Sequence, residues 1–207
     1  PTVGMPKSWD SSSKMLCRTK ASHMLAWGLF MRDQLIRFQK YKPQEITITG
    51  VPQFDIYAQK KGLESRDSFC KKLGLDPAKK IILYVSTGGN RCDEASYLEL
   101  LQRFMEDGYI KNCQVLIRPH VKYKNDARQF LSFEKYAHFR VDRSDEQKST
   151  LRDNWDISEE HLAHLFNSIH HADIVINIAS TIILDAAACG APSINICFDV
   201  NKNISPH

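Results

Sequence analysis

The chain has 207 residues, 43% of them hydrophobic and 25% charged, with a formal net charge of +4. This is enough apolar material for one good-sized core, or for one domain plus part of another. No run approaches the roughly 18 to 20 apolar residues of a membrane span, and the opening PTVGMPKSWD lacks the charged start and apolar stretch of an export signal. The charge is mild and the aromatic residues do not interleave with Lys and Arg, which argues against nucleic-acid binding. The cysteines (Cys17, Cys70, Cys92, Cys113, Cys189, Cys197) show no C-x-x-C pairing and lie mostly in apolar segments. They read as reduced thiols of a cytoplasmic protein. The start without Met, and the stop at NKNISPH straight after a strand-like run, lead to the expectation of a piece of a longer enzyme.

In chain order, residues 23–41 (HMLAWGLFMRDQLIRFQKY) read as a strand turning into a helix. In QEITITGVPQFD, Ile46 and Ile48 alternate with Thr47 and Thr49 before Gly50 and Pro52 break the strand. A domain boundary is expected near Asp55, dividing residues 1–55 from 56–207. From residue 64 a helix through SRDSFCKKL is stopped by Gly74, a turn follows at Asp76 and Pro77, and Ile81 to Val85 forms a buried strand. After the loop STGGN comes a helix from about Asp93 to Asp107, with Leu98, Leu101 and Phe104 on one face and Gly108 as its stop.

Gln114 to Arg118 is the next strand, 122–137 an irregular helix, Phe139 to Val141 a short strand and 142–154 a charged loop. Asp156 ahead of Glu159 resembles a capping box, opening a helix whose apolar face is Leu162, Leu165, Phe166 and Ile169. The chain then reads as strand Asp173 to Asn177, helix Thr181 to Cys189, Gly190 and Pro192 as stops, and strand Ser193 to Phe198. This alternation predicts an α/β fold, a Rossmann-like parallel sheet covered on both faces. Ligands of such sheets bind at the carboxyl ends of the strands, where STGGN, RPHVKY and NIAST all fall.

Several residues there are suited to an anionic ligand. In ADIVINIASTIILDAAACGAP a buried strand runs into Ser180 and Thr181 and directly into a helix, whose first N–H groups and two hydroxyls suit a phosphate; Ser180 as a plain helix cap is the alternative. Asp185, four residues beyond Thr181, shares its side of the helix and suits either a diol or the positive end of the helix dipole. Arg118, Pro119 and His120 close a strand ahead of Lys122, Lys124 and Arg128. Arg grips phosphate oxygens bidentately, and His can donate a hydrogen bond or a proton to a leaving phosphate. Ser86, Thr87, Gly88, Gly89 and Asn90 read equally as a strand-to-helix turn or as a nucleotide contact, the glycines allowing close backbone approach. His161, His164, His170 and His171 lack metal-ligand spacing and read as a solvated helix face. No D-x-D occurs, so no metal is expected on a diphosphate.

Taken together, TGVPQFD at 49–55, LYVSTGGN at 83–90, LIRPH at 116–120 and ASTIILDAAACGAP at 179–192 resemble the GT-B glycosyltransferase superfamily. Within it the nearest are the CDP-glycerol glycerophosphotransferases and surface-carbohydrate biosynthesis proteins, with their R-x-H and S-S/T-x-x-x-D motifs. The resemblance covers about residues 8 to 200. It implies that 56–207 is the C-terminal, nucleotide-donor-binding Rossmann-like domain, and that 1–55 is the end of the N-terminal, acceptor-side domain. It further implies phosphate contacts from Arg118, Ser180 and Thr181, a donor diol on Asp185, and a phosphate-binding or catalytic His120. Ser8, Trp9 and Asp10 would lie near the interdomain cleft. Two departures, Pro-His where His-Pro is common after the Arg and NIAST in place of DYSS, leave a sugar donor and a glycerol donor both open.

The function expected is transfer of a glycosyl or polyol-phosphate group from a nucleotide-activated donor to a surface polysaccharide or cell-wall acceptor. No cofactor and no metal would be needed, and the location would be cytoplasmic or peripheral at the inner face of the membrane. A non-hydrolysing UDP-sugar 2-epimerase shares the architecture, although NIASTIILD lacks its Ser-Gly-Gly and Glu-Glu pattern. A non-catalytic nucleotide-sugar-binding module and a purely structural Rossmann-like domain are the remaining alternatives.

Overall fold

A computed structural model describes residues 1–6, 8–9, 11–14, 19–88, 92–120, 126–144, 158–178 and 180–198. Asp10, Cys17, Gly89, Asn90, Lys122, Lys124, Asp156 and most of the expected charged loop therefore lie outside the described residues. The chain divides into two compact units, Pro1–Ile56 and Tyr57–His207. Among the described residues no helix is long and apolar enough to cross a membrane.

The first unit is a three-stranded parallel sheet in the order β1 (Val3–Gly4), β2 (His23–Ala26), β3 (Ile46–Ile48). Helices α1 (Ser11–Lys14) and α2 (Leu29–Gln39) connect the strands. Met24, Ala26, Met31, Leu35, Tyr41 and Ile46 form its core, because α2 turns Met31 and Leu35 onto the strands at helical spacing. At the end of α2, Lys40 adopts a left-handed conformation, φ 59°, and its N–H reaches back to the carbonyl of Leu35. Helix α3 (Phe54–Ala58) then spans the boundary between the units.

In the second unit, α4 (Arg66–Leu73) starts at Ser65, whose side chain accepts from the Ser68 N–H, and ends at Gly74 with φ +66°. A left-handed residue at a helix end is adopted with least strain by glycine, which has no Cβ. The five-stranded sheet is wholly parallel, in the order β6 (Phe139–Val141), β5 (Cys113–Arg118), β4 (Lys80–Val85), β7 (Ile174–Asn177), β8 (Ser193–Asn195). Helices α5 (Glu94–Glu106), α6 (Glu159–His171) and α7 (Ile182–Ala188) and a 3₁₀ helix (Asp126–Lys135) connect them. Strand pleating splits β4 between two cores. Ile81, Leu83 and Val85 join Phe69, Leu116, Ile169, Val175 and Ile182 on one face, while Ile82 and Tyr84 join Leu98, Val115, Ile117, Phe130 and Phe139 on the other. The expected Rossmann-like α/β sheet, covered on both faces, is what forms.

Three details differ from the sequence reading. Helix α6 is capped by Ser158, whose Oγ accepts from the His161 N–H at 3.2 Å, so the N-cap lies two residues beyond the Asp156 of the sequence reading. Phe104 is exposed and packs edge-on to Tyr109, centroids 6.0 Å apart, because the sheet-facing side of α5 is filled by Leu98 and Leu101. Strand β8 is three residues long and exposed throughout, since it is the sheet's edge, and Phe198 lies beyond it.

Candidate functional site

All five strands run the same way, so the segments following β4, β5, β6 and β7 emerge at one edge. From β4 the chain moves outward through β5 to β6, then returns to the other side of β4 as β7. The connections after β4 and β7 thus leave in opposite directions, and the edge between them is the topological switch point at which α/β sheets bind ligands. Ser86–Gly88 on one side and Asn177, Ile178, Ser180 and Thr181 on the other flank it.

Two buried carboxylates shape the loops after β4 and β5. Glu94, the first residue of α5, accepts from the backbone N–H of Thr87 at 2.8 Å, from the Thr87 hydroxyl, and from the Tyr84 hydroxyl at 3.3 Å. Asp126, the first residue of the 3₁₀ helix, accepts from the Ser86 hydroxyl at 3.0 Å and the backbone N–H of His120 at 2.7 Å. The Ser86 oxygen accepts in turn from the Gly88 N–H at 3.0 Å, and Gly88 has φ +70°. These bonds satisfy backbone donors that the β ladder no longer reaches.

On the sheet face covered by α6 and α7 lies a second network. Arg118 Nη1 is 3.1 Å from Asp142 Oδ2 and 3.5 Å from Ser168 Oγ, and His164 Nε2 is 2.7 Å from the same Asp142 oxygen. Burial alone would raise the Asp142 carboxyl, but its hydrogen bond with His164 and the Arg118 charge outweigh this and hold it well below the usual carboxylate range. Tyr57 donates to Asp185 Oδ1 at 2.7 Å, both residues being buried. Burial first, then the Asp185 charge, push the Tyr57 hydroxyl far above its ordinary value.

Asn177 ends β7 fully buried; its Oδ1 accepts from the Ser180 N–H at 3.1 Å, and among the described residues its Nδ2 has no partner. Ser180 Oγ accepts from the Ile182 N–H at 3.4 Å, so this hydroxyl caps the start of α7, whereas Thr181 is exposed and makes no side-chain cap.

The fold thus gathers Ser86, Thr87, Gly88, His120, Ser180 and Thr181 at one sheet edge. Arg118 and Asp185, expected to meet the donor directly, are buried and held by Asp142 and Tyr57, so their charges act from within the fold. Ser8 and Trp9 belong to the first unit, just ahead of α1, Trp9 being exposed. The histidine-rich helix face is only partly solvated. His170 is exposed, but His164 pairs with Asp142, and His171 is buried with Nε2 3.0 Å from the Glu64 carbonyl. Burial is the main cause holding His171 below its ordinary value. Among the described residues no group of three or more His, Cys, Asp or Glu is placed to hold a metal ion. Sequence reasoning missed Tyr57, Glu94, Asp126 and Asn177 altogether, and took Asp142 only as the start of a charged loop.

No family model and no curated protein matches the chain. Solved structures do. The wall teichoic acid polymerase TagF superposes with a TM-score of 0.56 at 16% identity, over 88% of this chain and 40% of its own. A UDP-GlcNAc 2-epimerase from Neisseria meningitidis, bound to UDP-GlcNAc, gives 0.57 at 12% identity over 84% and 44%. The UDP-GlcNAc 2-epimerase from Methanocaldococcus jannaschii gives 0.55 at 14% over 86% and 47%. The chain spans less than half the length of these solved chains and shares with them the GT-B fold.

Proposed function

We propose that this chain carries the donor-binding part of a GT-B enzyme that acts on a nucleotide-activated sugar or polyol, transferring a glycosyl or polyol-phosphate group to a surface polysaccharide or cell-wall acceptor. The observation that carries this reading is the switch point between β4 and β7, where the Ser86–Gly88 backbone and the Ser180 and Thr181 hydroxyls flank one edge on a fold shared with nucleotide-sugar enzymes. In a glycosyl transfer the bond from the anomeric carbon to the diphosphate oxygen breaks, and the nucleoside diphosphate leaves with the electron pair. In a polyol-phosphate transfer the bridging P–O bond breaks, and the nucleoside monophosphate leaves with it. In either case the acceptor hydroxyl forms the new bond and gives up its proton. Negative charge then grows on phosphate oxygens, where preorganised donors stabilise it most. Thr181, whose side chain makes no cap bond at α7, supplies such a donor, with His120 as the candidate for a hydrogen bond or proton to the leaving phosphate. Arg118 and Asp185 are given no direct donor contact in this reading, because a buried carboxylate and a buried hydroxyl already hold them. The work would be done in the cytoplasm, on an acceptor at the inner membrane face.

An epimerase is the second reading, favoured by the likeness to two UDP-GlcNAc 2-epimerases. Both readings predict that the chain binds one of UDP, CDP and GDP in calorimetry and that Ser180→Ala/Thr181→Ala abolishes this binding. A folded wild-type chain that binds none of the three refutes both. Conversion of a UDP-sugar without any acceptor selects the epimerase. Turnover unaffected by His120→Ala, in the enzyme that contains this chain, marks a non-catalytic module.

A further inference from the structure

Strands β4 and β5 are hydrogen-bonded along their length, and the Ser86 N–H on the Arg118 carbonyl, at 3.0 Å, extends their ladder by one step. Beyond it the two backbones have no ladder partner in each other, and their next N–H groups need other acceptors. Asp126 meets this need from outside both strands. Its Oδ2 takes the Ser86 hydroxyl and the His120 N–H together, and Ser86 Oγ passes the connection on to the Gly88 N–H. Its Oδ1 takes Gln129 Nε2 at 2.7 Å, which fixes the carboxylate to its own helix. One buried carboxylate therefore bridges a loop forty residues before it and a backbone amide six residues before it.

We propose that Asp126 is a positioning residue of the donor site. Its carboxylate locks the loop after β4 to the loop after β5, so that the Ser86–Gly88 segment and the His120 side chain are held in one fixed arrangement at the ligand edge. This rests on the donor-binding reading of that edge. A residue serving only its own helix would protect amides within 126–135. The lock instead predicts that the distant Gly88 amide and the His120 amide are protected together.

The test is amide-resolved hydrogen exchange and nucleotide calorimetry on the whole chain and on Asp126→Asn, with UDP, CDP and GDP as probes. Asp173→Asn is the control: Asp173 also holds a backbone amide, Ile81 N–H at 2.9 Å, but at the opposite edge of the sheet. Hydrogen bonds to a charged acceptor are the strong ones, so exchange at both Gly88 and His120 should quicken about tenfold or more in Asp126→Asn. Affinity for whichever nucleotide the wild type binds should fall by about tenfold or more, with Asp173→Asn unchanged in both readouts. Unaltered Gly88 exchange, or altered exchange with full nucleotide affinity, overturns the proposal. Should Asp126→Asn fail to fold, Ser86→Ala removes only the β4 arm. It must then quicken exchange at His120 as well as at Gly88, and an unchanged His120 amide overturns the lock. A wild type that binds no nucleotide refutes the donor reading, and the exchange data then decide the lock alone.

Discussion

Replacing Tyr57 by Phe deletes a single oxygen and leaves the ring stacked on Phe166, centroids 5.2 Å apart. The deleted hydroxyl donates to Asp185 Oδ1 at 2.7 Å, with the two residues only 5% and 6% exposed. Burial and the neighbouring carboxylate keep the hydroxyl protonated throughout the accessible pH range, so it acts as a donor under all ordinary conditions. A hydrogen bond to a charged acceptor contributes about 1.5–3 kcal/mol, and a buried carboxylate that loses this donor cannot replace it by turning to solvent. We expect about 2 kcal/mol of destabilisation, equivalent to roughly 4–8 °C in midpoint for a chain of this size. Asp185→Asn keeps an acceptor while removing the buried charge, and should cost less. Urea unfolding followed by circular dichroism on both variants and the double mutant gives the coupling, expected at about 1–2 kcal/mol. A Tyr57→Phe loss within about 0.5 kcal/mol of zero, with no coupling to Asp185, would refute this account of the buried pair.

Asp142→Ala removes the carboxylate that faces Arg118 and His164, and should cost about 3–5 kcal/mol in urea unfolding; a loss near zero would mean that the guanidinium finds solvent. Acidification should weaken the fold in two stages. His138 and His171 are held below their ordinary 6.5 mainly by burial, so the unfolded chain binds protons first and stability falls as pH drops below about 6.5. Asp142 is held below its ordinary 3.8, so further stability is lost below that pH. Urea midpoints that stay constant from about pH 7 to about pH 5 contradict the first stage. Gly74→Ala places a Cβ on a residue with φ +66° and should cost about 1 kcal/mol in the same assay, a neutral outcome excluding the left-handed cap.

Much of the fold was legible because its determinants are local. KIILYV and CQVLIR are short apolar runs between turn residues, and Gly74, Gly108 and Gly190 mark helix ends with φ of +66°, +75° and +71°. Alternation of these elements already implies a parallel sheet. What failed depended on neighbours far away in sequence. Phe104 has the spacing of a core residue, but whether a third apolar position on α5 meets the sheet depends on how far the sheet extends beneath it. The expected strand SINICF is apolar enough to suggest a buried strand, and only the strand order shows that among the described residues nothing pairs beyond β8.

The site was legible to the same degree and for the same reason. That STG, RPH and the segment ending in Ser180 and Thr181 share an edge follows from strand direction alone, so the gathering of those residues needed no tertiary information. The partners that arrest Arg118 and Asp185 could not be read in this way, since Tyr57 lies 128 residues from Asp185 and Asp142 lies 24 from Arg118. For the loop carboxylates a local signal did exist. Thr87 is bonded by Glu94 seven residues on, and His120 by Asp126 six residues on, each acid being the first residue of the helix that follows. A strand that outruns its ladder leaves N–H groups needing acceptors. When the crossover turns straight back into a helix, a carboxylate in that helix's first turn is the nearest acceptor the chain can offer. Read at the outset, those two acids would have marked both loops as held in place, and a preorganised backbone is what separates a ligand-binding edge from an ordinary strand-to-helix turn.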